Sequence, residues 1–167
     1  DIFIQYFNAH PEMKLIIAPH VVNDGHLKEI MSKLQRPSIR YTQATEENVS
    51  KADCLIIDCY GLLSSIYRYG EISYIGGGFG VGIHNVLEAA VYGIPVIFGP
   101  NNKKFREAQH LLANKGGFEI NSFEDFEQLM NRFLTDEAYL AQSGKAAGDY
   151  VKGNAGAMEV IMKSVFE

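Results

Sequence analysis

The sequence is poor in the residues that mark several specialised classes of protein. It has only two cysteines, Cys54 and Cys59, whose spacing fits neither a CxxC redox pair nor a zinc knuckle. Both lie in or beside an apolar run, which predicts small buried side chains in a reducing compartment. Acidic residues outnumber basic ones, and the net charge is −5. Because no local basic patch is present either, we expect no nucleic acid as a partner.

The sequence also lacks a signal peptide and a run long enough for a transmembrane helix. Its longest uncharged stretch, residues 72–87, is interrupted by glycines. The first residue is Asp1 rather than methionine, and it stands in what reads as a helix. We therefore interpret the chain as a soluble piece of a longer protein, in which residues 1–167 form one domain with a core of its own.

Short β-branched runs alternate with helical patterns, which predicts a parallel α/β organisation. The predicted strands are residues 15–19, 39–42, 54–58, 72–76, 95–99 and 118–120. Strands this apolar predict a parallel sheet with helices on both faces, a three-layer α/β/α fold. From its N-cap at Ser122 the pattern becomes helical, and the last two predicted helices are residues 137–151 and 156–165.

Sites in such sheets form beyond the carboxyl ends of the strands. His20 and Asp58 each follow a predicted strand, and we expect Asp58 to cap the next helix. The fourth strand is followed by five glycines between residues 76 and 82, and then by a predicted helix. Bare backbone N–H groups at a helix N-terminus favour an anion, although a tight turn alone would also use glycine.

Two standard phosphate-binding patterns are absent from this loop. The dinucleotide fingerprint G-x-G-x-x-G fails in every register, and no Gly-Lys-Ser/Thr follows the glycines. These failures argue against a dinucleotide site and against the phosphate loop of NTP-hydrolysing enzymes.

The segment HNVLEAA predicts a polar helix face beside the glycines. If the helix opens at His84, then His84 and Glu88 lie one turn apart, with Asn85 at the N-terminus. Asn85 and backbone N–H groups are suited to a phosphate, Glu88 to two ribose hydroxyls, and His84 to phosphate or sugar. Glu88 can instead pair locally with His84. A zinc ion shared by these two residues would lack a third ligand, so we predict no metal.

Residues 57–80, IDCYGLLSSIYRYGEISYIGGGFG, and residues 82–108, GIHNVLEAAVYGIPVIFGPNNKKFREA, resemble the C-terminal half of 3-deoxy-D-manno-octulosonate (Kdo) transferases. The resemblance runs from about Leu15 to the end of the chain and is strongest from Asp58 to Glu107. It implies a GT-B enzyme, in which two Rossmann-like domains enclose the active site and the C-terminal one binds the donor CMP-Kdo. The catalytic base and the acceptor side belong to the N-terminal domain.

By this resemblance, His84, Asn85 and Glu88 belong to the donor site, and its backbone floor is Gly76, Gly77 and Gly78. His20 matches a segment in which a basic residue reaches the nucleotide phosphate. That basic residue is displaced in this chain, so His20 or His26 takes its place. The acidic residue that the family has after Gly61 is missing, so only Gly61 itself is carried over from that motif.

The resemblance implies transfer of Kdo from CMP-Kdo to a lipid A precursor, without a cofactor. It also implies a full-length enzyme at the cytoplasmic face of the bacterial inner membrane, with the present fragment inactive alone and without membrane contact of its own. Two alternatives remain open. One is another GT-B enzyme that uses a UDP-sugar, either a glycosyltransferase or a sugar-nucleotide epimerase. The other is a non-catalytic nucleotide-binding domain.

Overall fold

The computed structural model describes the backbone of residues 2–166 and the side chains up to residue 154. The chain forms two compact units, Asp1–Ile66 and Tyr67–Glu167. Each unit contains its own parallel sheet, and each is described separately.

The first unit is built on a three-stranded parallel sheet in the order β1-β3-β2. Its strands are β1 (Leu15–Ile17), β2 (Ser38–Arg40) and β3 (Cys54–Ile56). Its helices are α1 (Ile2–Ala9), α2 (Asp24–Lys33), α3 (Glu46–Val49) and α4 (Leu63–Ile66). The core of this unit is formed by α1, α2, β1 and β3 and contains Ile4, Phe7, Ile17, Leu27, Ile30, Cys54 and Ile56.

Side chains fix the helix ends of the first unit. Thr45 and Asn48 form a capping box at the start of α3, in which each side chain bonds the backbone N–H of the other. At the end of α1, the guanidinium of Arg36 donates to the carbonyls of Phe7, His10, Pro11 and Met13 at 2.8–3.1 Å. The bond to Phe7 reaches a carbonyl in the last turn of α1, and the other three bonds hold the segment that follows the helix.

The second unit is built on a parallel sheet in the order β4-β5-β6. Its strands are β4 (Ser73–Ile75), β5 (Val96–Phe98) and β6 (Gly117–Glu119). Its helices are α5 (Leu87–Ala90), α6 (Arg106–Ala113), α7 (Phe123–Thr135) and α8 (Glu137–Phe166). A single 3₁₀ turn, Tyr67–Tyr69, precedes β4.

Alternate side chains of this sheet enter two different layers, as the period of a strand requires. One face carries Ile75, Val96 and Phe98, and packs against apolar residues of α5, α6 and α8. The other face meets α7, where Tyr74 contacts Phe126 edge-on at 5.9 Å between ring centroids. Helices therefore cover both faces of the second sheet.

The predicted α/β fold with parallel strands and a helical tail is confirmed, with two differences. The first five strands are shorter than predicted and the sixth is displaced by one residue, and the six strands are divided between two sheets. In the tail, the predicted break between residues 151 and 156 is wrong, because α8 is one continuous helix. Gly153 lies inside it, since a glycine costs a helix only about 1 kcal/mol. None of the helices in the described part of the chain is long and apolar enough to cross a membrane.

Candidate functional site

Two loops leave the same edge of the second sheet. Ile75 is paired with Phe98 in the parallel register, so β4 and β5 end side by side. We call residues 76–82 the glycine loop and residues 99–105 the β5–α6 loop. Both follow the carboxyl ends of strands, where binding sites form in α/β proteins.

The glycine loop is a closed turn that needs glycine at two positions. Gly77 has a φ of +87°, and a Cβ atom there would lie 2.2 Å from the carbonyl oxygen of Gly82. A Cβ atom at Gly78 would lie 2.5 Å from the backbone nitrogen of Gly99. The turn is closed by the N–H groups of Gly80 and Gly82, which donate to the Gly77 carbonyl at 2.9 and 3.2 Å.

The β5–α6 loop supports the glycine loop from beside it. The backbone N–H of Asn101 donates to the Gly78 carbonyl at 2.9 Å. The side-chain amide of Asn101 donates to the Gly80 carbonyl. The ring of Phe105 covers Gly82, where an added Cβ atom would lie 3.0 Å from the ring. The two loops are therefore packed and hydrogen-bonded together.

The predicted helix face of His84, Asn85 and Glu88 is corrected by the structure. Helix α5 begins at Leu87, so His84 and Asn85 lie in the segment before it. The reason is local, because Asn85 Oδ1 accepts from the N–H of Leu87 at 2.9 Å. This bond between a side chain and the backbone two residues on competes with helix formation. Because α5 has only four residues, its helix dipole is small and does little to attract an anion to its N-terminus.

His84, Asn85 and Glu88 nevertheless lie together beside the glycine loop. The Nδ2 group of Asn85 donates to Oε1 of Glu88 at 3.1 Å. A Cβ atom at Gly77 would lie 3.4 Å from Nε2 of His84, and one at Gly76 would lie 3.7 Å from its Cδ2. The exposed imidazole of His84 thus lies against the glycine backbone. An imidazole therefore lies on the glycine backbone, and the amide of the next residue holds a carboxylate.

Tyr67, in the 3₁₀ turn before β4, is a neighbour of this site. It packs against the apolar core of the second unit. Burial, together with the negative charge of Glu88, raises the pKa of Tyr67 to about 12. The phenol therefore remains neutral and keeps its O–H donor beside the carboxylate. Its place in the sequence, at helical apolar spacing, gave no signal of this.

His20 and Gly61 lie in the first unit, after the carboxyl ends of β1 and β3. Ile17 and Ile56 are paired there, so the following loops share one edge of the first sheet. His20 is exposed in the turn after β1. Gly61 has a φ of +89°, a conformation that glycine adopts without strain. The structure describes these two residues within their own unit, whereas the other six predicted site residues lie in the second unit.

Asp58 does not cap the next helix as predicted. Its carboxylate accepts from the backbone N–H of Thr42 at 2.9 Å and from the Thr42 hydroxyl at 2.6 Å. The bonds join the ends of β2 and β3, because both strands run parallel and finish at the same edge.

The described residues offer neither a reactive cysteine pair nor a cluster of metal ligands. Burial raises the pKa of the Cys54 thiol to about 12, and Cys59 is also free. Within the part of the chain that the structure describes, no group of three or more His, Cys, Asp or Glu side chains is placed to hold a metal ion.

Comparison with known proteins relates the chain to one family of enzymes. No protein-family model matches it. The 3-deoxy-D-manno-octulosonic acid transferase of Aquifex aeolicus is 30% identical over 80% of this chain and 37% of its own length. That of Chlamydia pneumoniae is also 30% identical, over 78% of this chain and 31% of its own length. The chain thus spans about a third of the length of these curated relatives.

A solved structure matches the fold over nearly the whole chain. It is the C-terminal CMP-Kdo binding domain of WaaA from Acinetobacter baumannii, with a TM-score of 0.75 and 17% sequence identity. The match covers 90% of this chain and 79% of that domain. The resemblance to the C-terminal half of the Kdo transferases, which the sequence motifs predicted, is therefore confirmed in sequence by these relatives and in fold by this domain.

Proposed function

We propose that this chain is the donor-binding domain of a Kdo transferase. In the full-length protein it would bind CMP-Kdo and supply one half of the active site that transfers Kdo to a lipid A precursor. The observation that carries the proposal is the likeness to the Kdo transferases along 80% of the chain. The WaaA domain of the same fold binds CMP-Kdo, and its likeness extends over 90% of the chain.

The site residues are suited to a nucleoside monophosphate. Glu88 has acceptor capacity left after its bond from Asn85, enough for two ribose hydroxyls. Asn85 holds that carboxylate in one orientation. The imidazole of His84 and the backbone of Gly76, Gly77 and Gly78 offer hydrogen-bond donors to the phosphate. His20 and Gly61, in the first unit, stay predicted donor-binding residues on the strength of the resemblance.

The proposed reaction is a direct glycosyl transfer. A hydroxyl oxygen of the lipid A precursor forms a bond to the anomeric carbon of Kdo, and the bond from that carbon to the phosphate oxygen of CMP breaks. The proton of the hydroxyl passes to a general base, which we assign to the N-terminal domain of the full-length protein. Donors fixed around the departing phosphate lower the barrier by stabilising its developing charge. The proposal assigns no metal and no cofactor to this step.

The location and the partners follow from the same proposal. The acceptor is an amphiphile of the membrane, so the full-length enzyme is proposed to work at the cytoplasmic face of the bacterial inner membrane. This domain would contact the donor, and the N-terminal domain would contact the acceptor.

A nucleotide titration of the ¹⁵N-labelled chain tests the donor assignment. We expect CMP to shift the amide resonances of residues 76–88 and to bind more tightly than UDP. Tighter binding of UDP would overturn the Kdo assignment in favour of a UDP-sugar enzyme. Glu88→Ala should weaken CMP binding at least tenfold, about 1.4 kcal/mol. Glu71→Ala, at an exposed carboxylate just before β4, is the matched control.

Transfer activity of the full-length protein separates an enzyme from a non-catalytic nucleotide-binding domain. We expect Kdo transfer from CMP-Kdo by the parent and a loss of at least tenfold in Glu88→Ala. If both donor binding and transfer survived that substitution, the assigned site would be wrong.

A further inference from the structure

Asn102 is a polar residue with no exposed surface, at the centre of the β5–α6 loop. Its Nδ2 group donates to the carbonyl of Gly99 at 2.9 Å and to Oε2 of Glu119 at 2.8 Å. Its Oδ1 accepts from Nε2 of Gln109 at 2.6 Å. Its backbone carbonyl accepts from the N–H of Phe105 at 2.9 Å. The residue therefore joins the end of β5, the start of α6 and the end of β6.

An asparagine side chain fits this position because it carries two N–H donors and one carbonyl acceptor. Both donors are used, one on a carbonyl and the other on a carboxylate, and the acceptor is used by Gln109. An aspartate would place a second negative charge beside Glu119 and an acceptor beside the Gly99 carbonyl. An apolar side chain would leave those oxygens without their donors, which is costly for a buried group.

The bond to Gly99 connects Asn102 to the glycine loop. A Cβ atom at Gly99 would lie 2.6 Å from the carbonyl carbon of Gly78, so the two backbones are in direct contact. Asn101, the residue just before Asn102, donates hydrogen bonds to the carbonyls of Gly78 and Gly80. A shift of Gly99 or Asn101 would therefore shift the glycine loop, because packed backbones have no space in which to absorb it.

We propose that Asn102 is a positioning residue that holds the glycine loop in the shape that binds the donor phosphate. It acts through Gly99 and Asn101 and does not touch the ligand. The identity of the ligand as CMP rests on the proposed function, whereas the effect of Asn102 on the shape of the glycine loop does not.

The test exchanges the polar groups of Asn102 and Glu119. Asn102→Asp alone removes both donations and adds a repulsive charge. Asn102→Asp combined with Glu119→Gln restores the bond between these two side chains, now with the donor on the other side, but leaves the Gly99 carbonyl without its donor. A merely structural Asn102 and a positioning Asn102 therefore predict different results for the double variant.

We expect the double variant to recover part of the free energy of unfolding that Asn102→Asp loses, because the repulsion with Glu119 is removed while the Gly99 carbonyl still lacks its donor. Its Kd for CMP should stay at least tenfold above that of the parent, and the Gly80 and Gly82 amides should exchange with solvent faster. Asn121 donates to Oε1, the other carboxylate oxygen of Glu119. Asn121→Ala should therefore leave CMP binding and the amide exchange of Gly80 and Gly82 unchanged. Recovery of CMP binding in the double variant would overturn the proposal, and so would a loss of stability without any change in binding or exchange.

A second variant and a measurement without CMP test the proposal if the first variants cannot. If Asn102→Asp fails to fold, Gln109→Met removes the Nε2 group that donates to Oδ1 and to the backbone carbonyl of Asn102. A threefold or greater rise in the Kd for CMP is then expected, and an unchanged Kd would overturn the proposal. If the parent itself does not bind CMP, the proposed function fails. Amide exchange at Gly80 and Gly82 in the same variants then still decides whether Asn102 positions the loop.

Discussion

The side-chain amide of Asn85 holds the carboxylate of Glu88 from one side, with 3.1 Å between Nδ2 and Oε1. The other end of the same amide accepts from the N–H of Leu87 at 2.9 Å. Asn85 therefore performs two tasks, since it satisfies the N–H of Leu87, the first residue of α5, and it orients the carboxylate that we assign to the donor ribose. A substitution that preserves one task and removes the other separates them.

Asn85→Asp is that substitution. An aspartate oxygen still accepts from the Leu87 N–H, but its charge repels Glu88 instead of binding it. We expect the free energy of unfolding to change by less than about 0.5 kcal/mol, while CMP binding near neutral pH weakens about tenfold, or 1.4 kcal/mol. Calorimetric titration and urea unfolding measure the two quantities. Asn154→Asp, at an exposed position of α8, controls for the added charge. Parent-like affinity in Asn85→Asp would remove Asn85 from the site.

Gly78→Ala should destabilise the second unit. The new methyl would lie 2.5 Å from the backbone nitrogen of Gly99, so one of the two loops must move. We expect a loss of about 1–3 kcal/mol in the free energy of unfolding, the range for overpacked sites. Gly80→Ala is the control in the same loop, because its nearest neighbour, the Gly77 carbonyl, is 3.6 Å away. Equal losses in the two variants, measured by urea unfolding, would contradict the contact between the loops.

Tyr67 should make stability depend on pH in the alkaline range. Burial and the charge of Glu88 raise its pKa from 10.0 to about 12 in the folded chain. A raised pKa means that the folded state holds the proton more tightly, so its contribution is complete below pH 10 and is lost as the pH rises toward 12. Tyr67→Phe should flatten this part of the stability profile.

The part played by Glu88 in that pKa has its own test. Glu88→Gln removes the negative charge but leaves the burial, which is the larger cause. The pKa of Tyr67 should therefore fall but stay above its ordinary value. The phenolate absorbance of each protein, minus that of its Tyr67→Phe version, reports the titration. No shift on Glu88→Gln would place Glu88 too far away to act on Tyr67.

Lys115→Gly should stabilise the protein. Lys115 follows helix α6 with a φ of 66°, the one non-glycine residue with positive φ in the described part of the chain. A side chain in this conformation is strained, and glycine at the end of a helix is not. Allowing for the greater freedom of glycine in the unfolded chain, we expect a gain of about 0.5–1 kcal/mol. Lys115→Ala keeps the strain and should give no gain in the same thermal unfolding experiment.

The sequence was a good guide where a short-range pattern determines the structure. The six strands follow from apolar runs, and the N-cap at Ser122 follows from residue type and spacing. It was a poorer guide at Asn85, because an asparagine just before an apolar helical pattern reads equally well as the first residue of a helix or as the residue that delays it. The continuous α8 was missed because packing along a helix outweighs a single glycine.

The candidate site was predictable in part for the same reason. The glycines, His84, Asn85 and Glu88 stand close together in the chain, and the structure brings them together. Asn102 was not predicted, because its burial depends on Gln109 and Glu119, which come from later elements of the fold. Whether the assigned residues bind the donor stays a prediction.

The contact between Gly78 and Gly99 constrains how this site can be inherited or transplanted. Neither backbone leaves space for a side chain at the other, with Cβ distances of 2.5 and 2.6 Å. The two loops are separated in the chain by the whole of α5 and β5, yet each is shaped to fit the other. A chimera of two related proteins with its crossover between residues 83 and 98 would join loops of different parents. An exchange of this site between relatives must therefore carry residues 76–105 as one block.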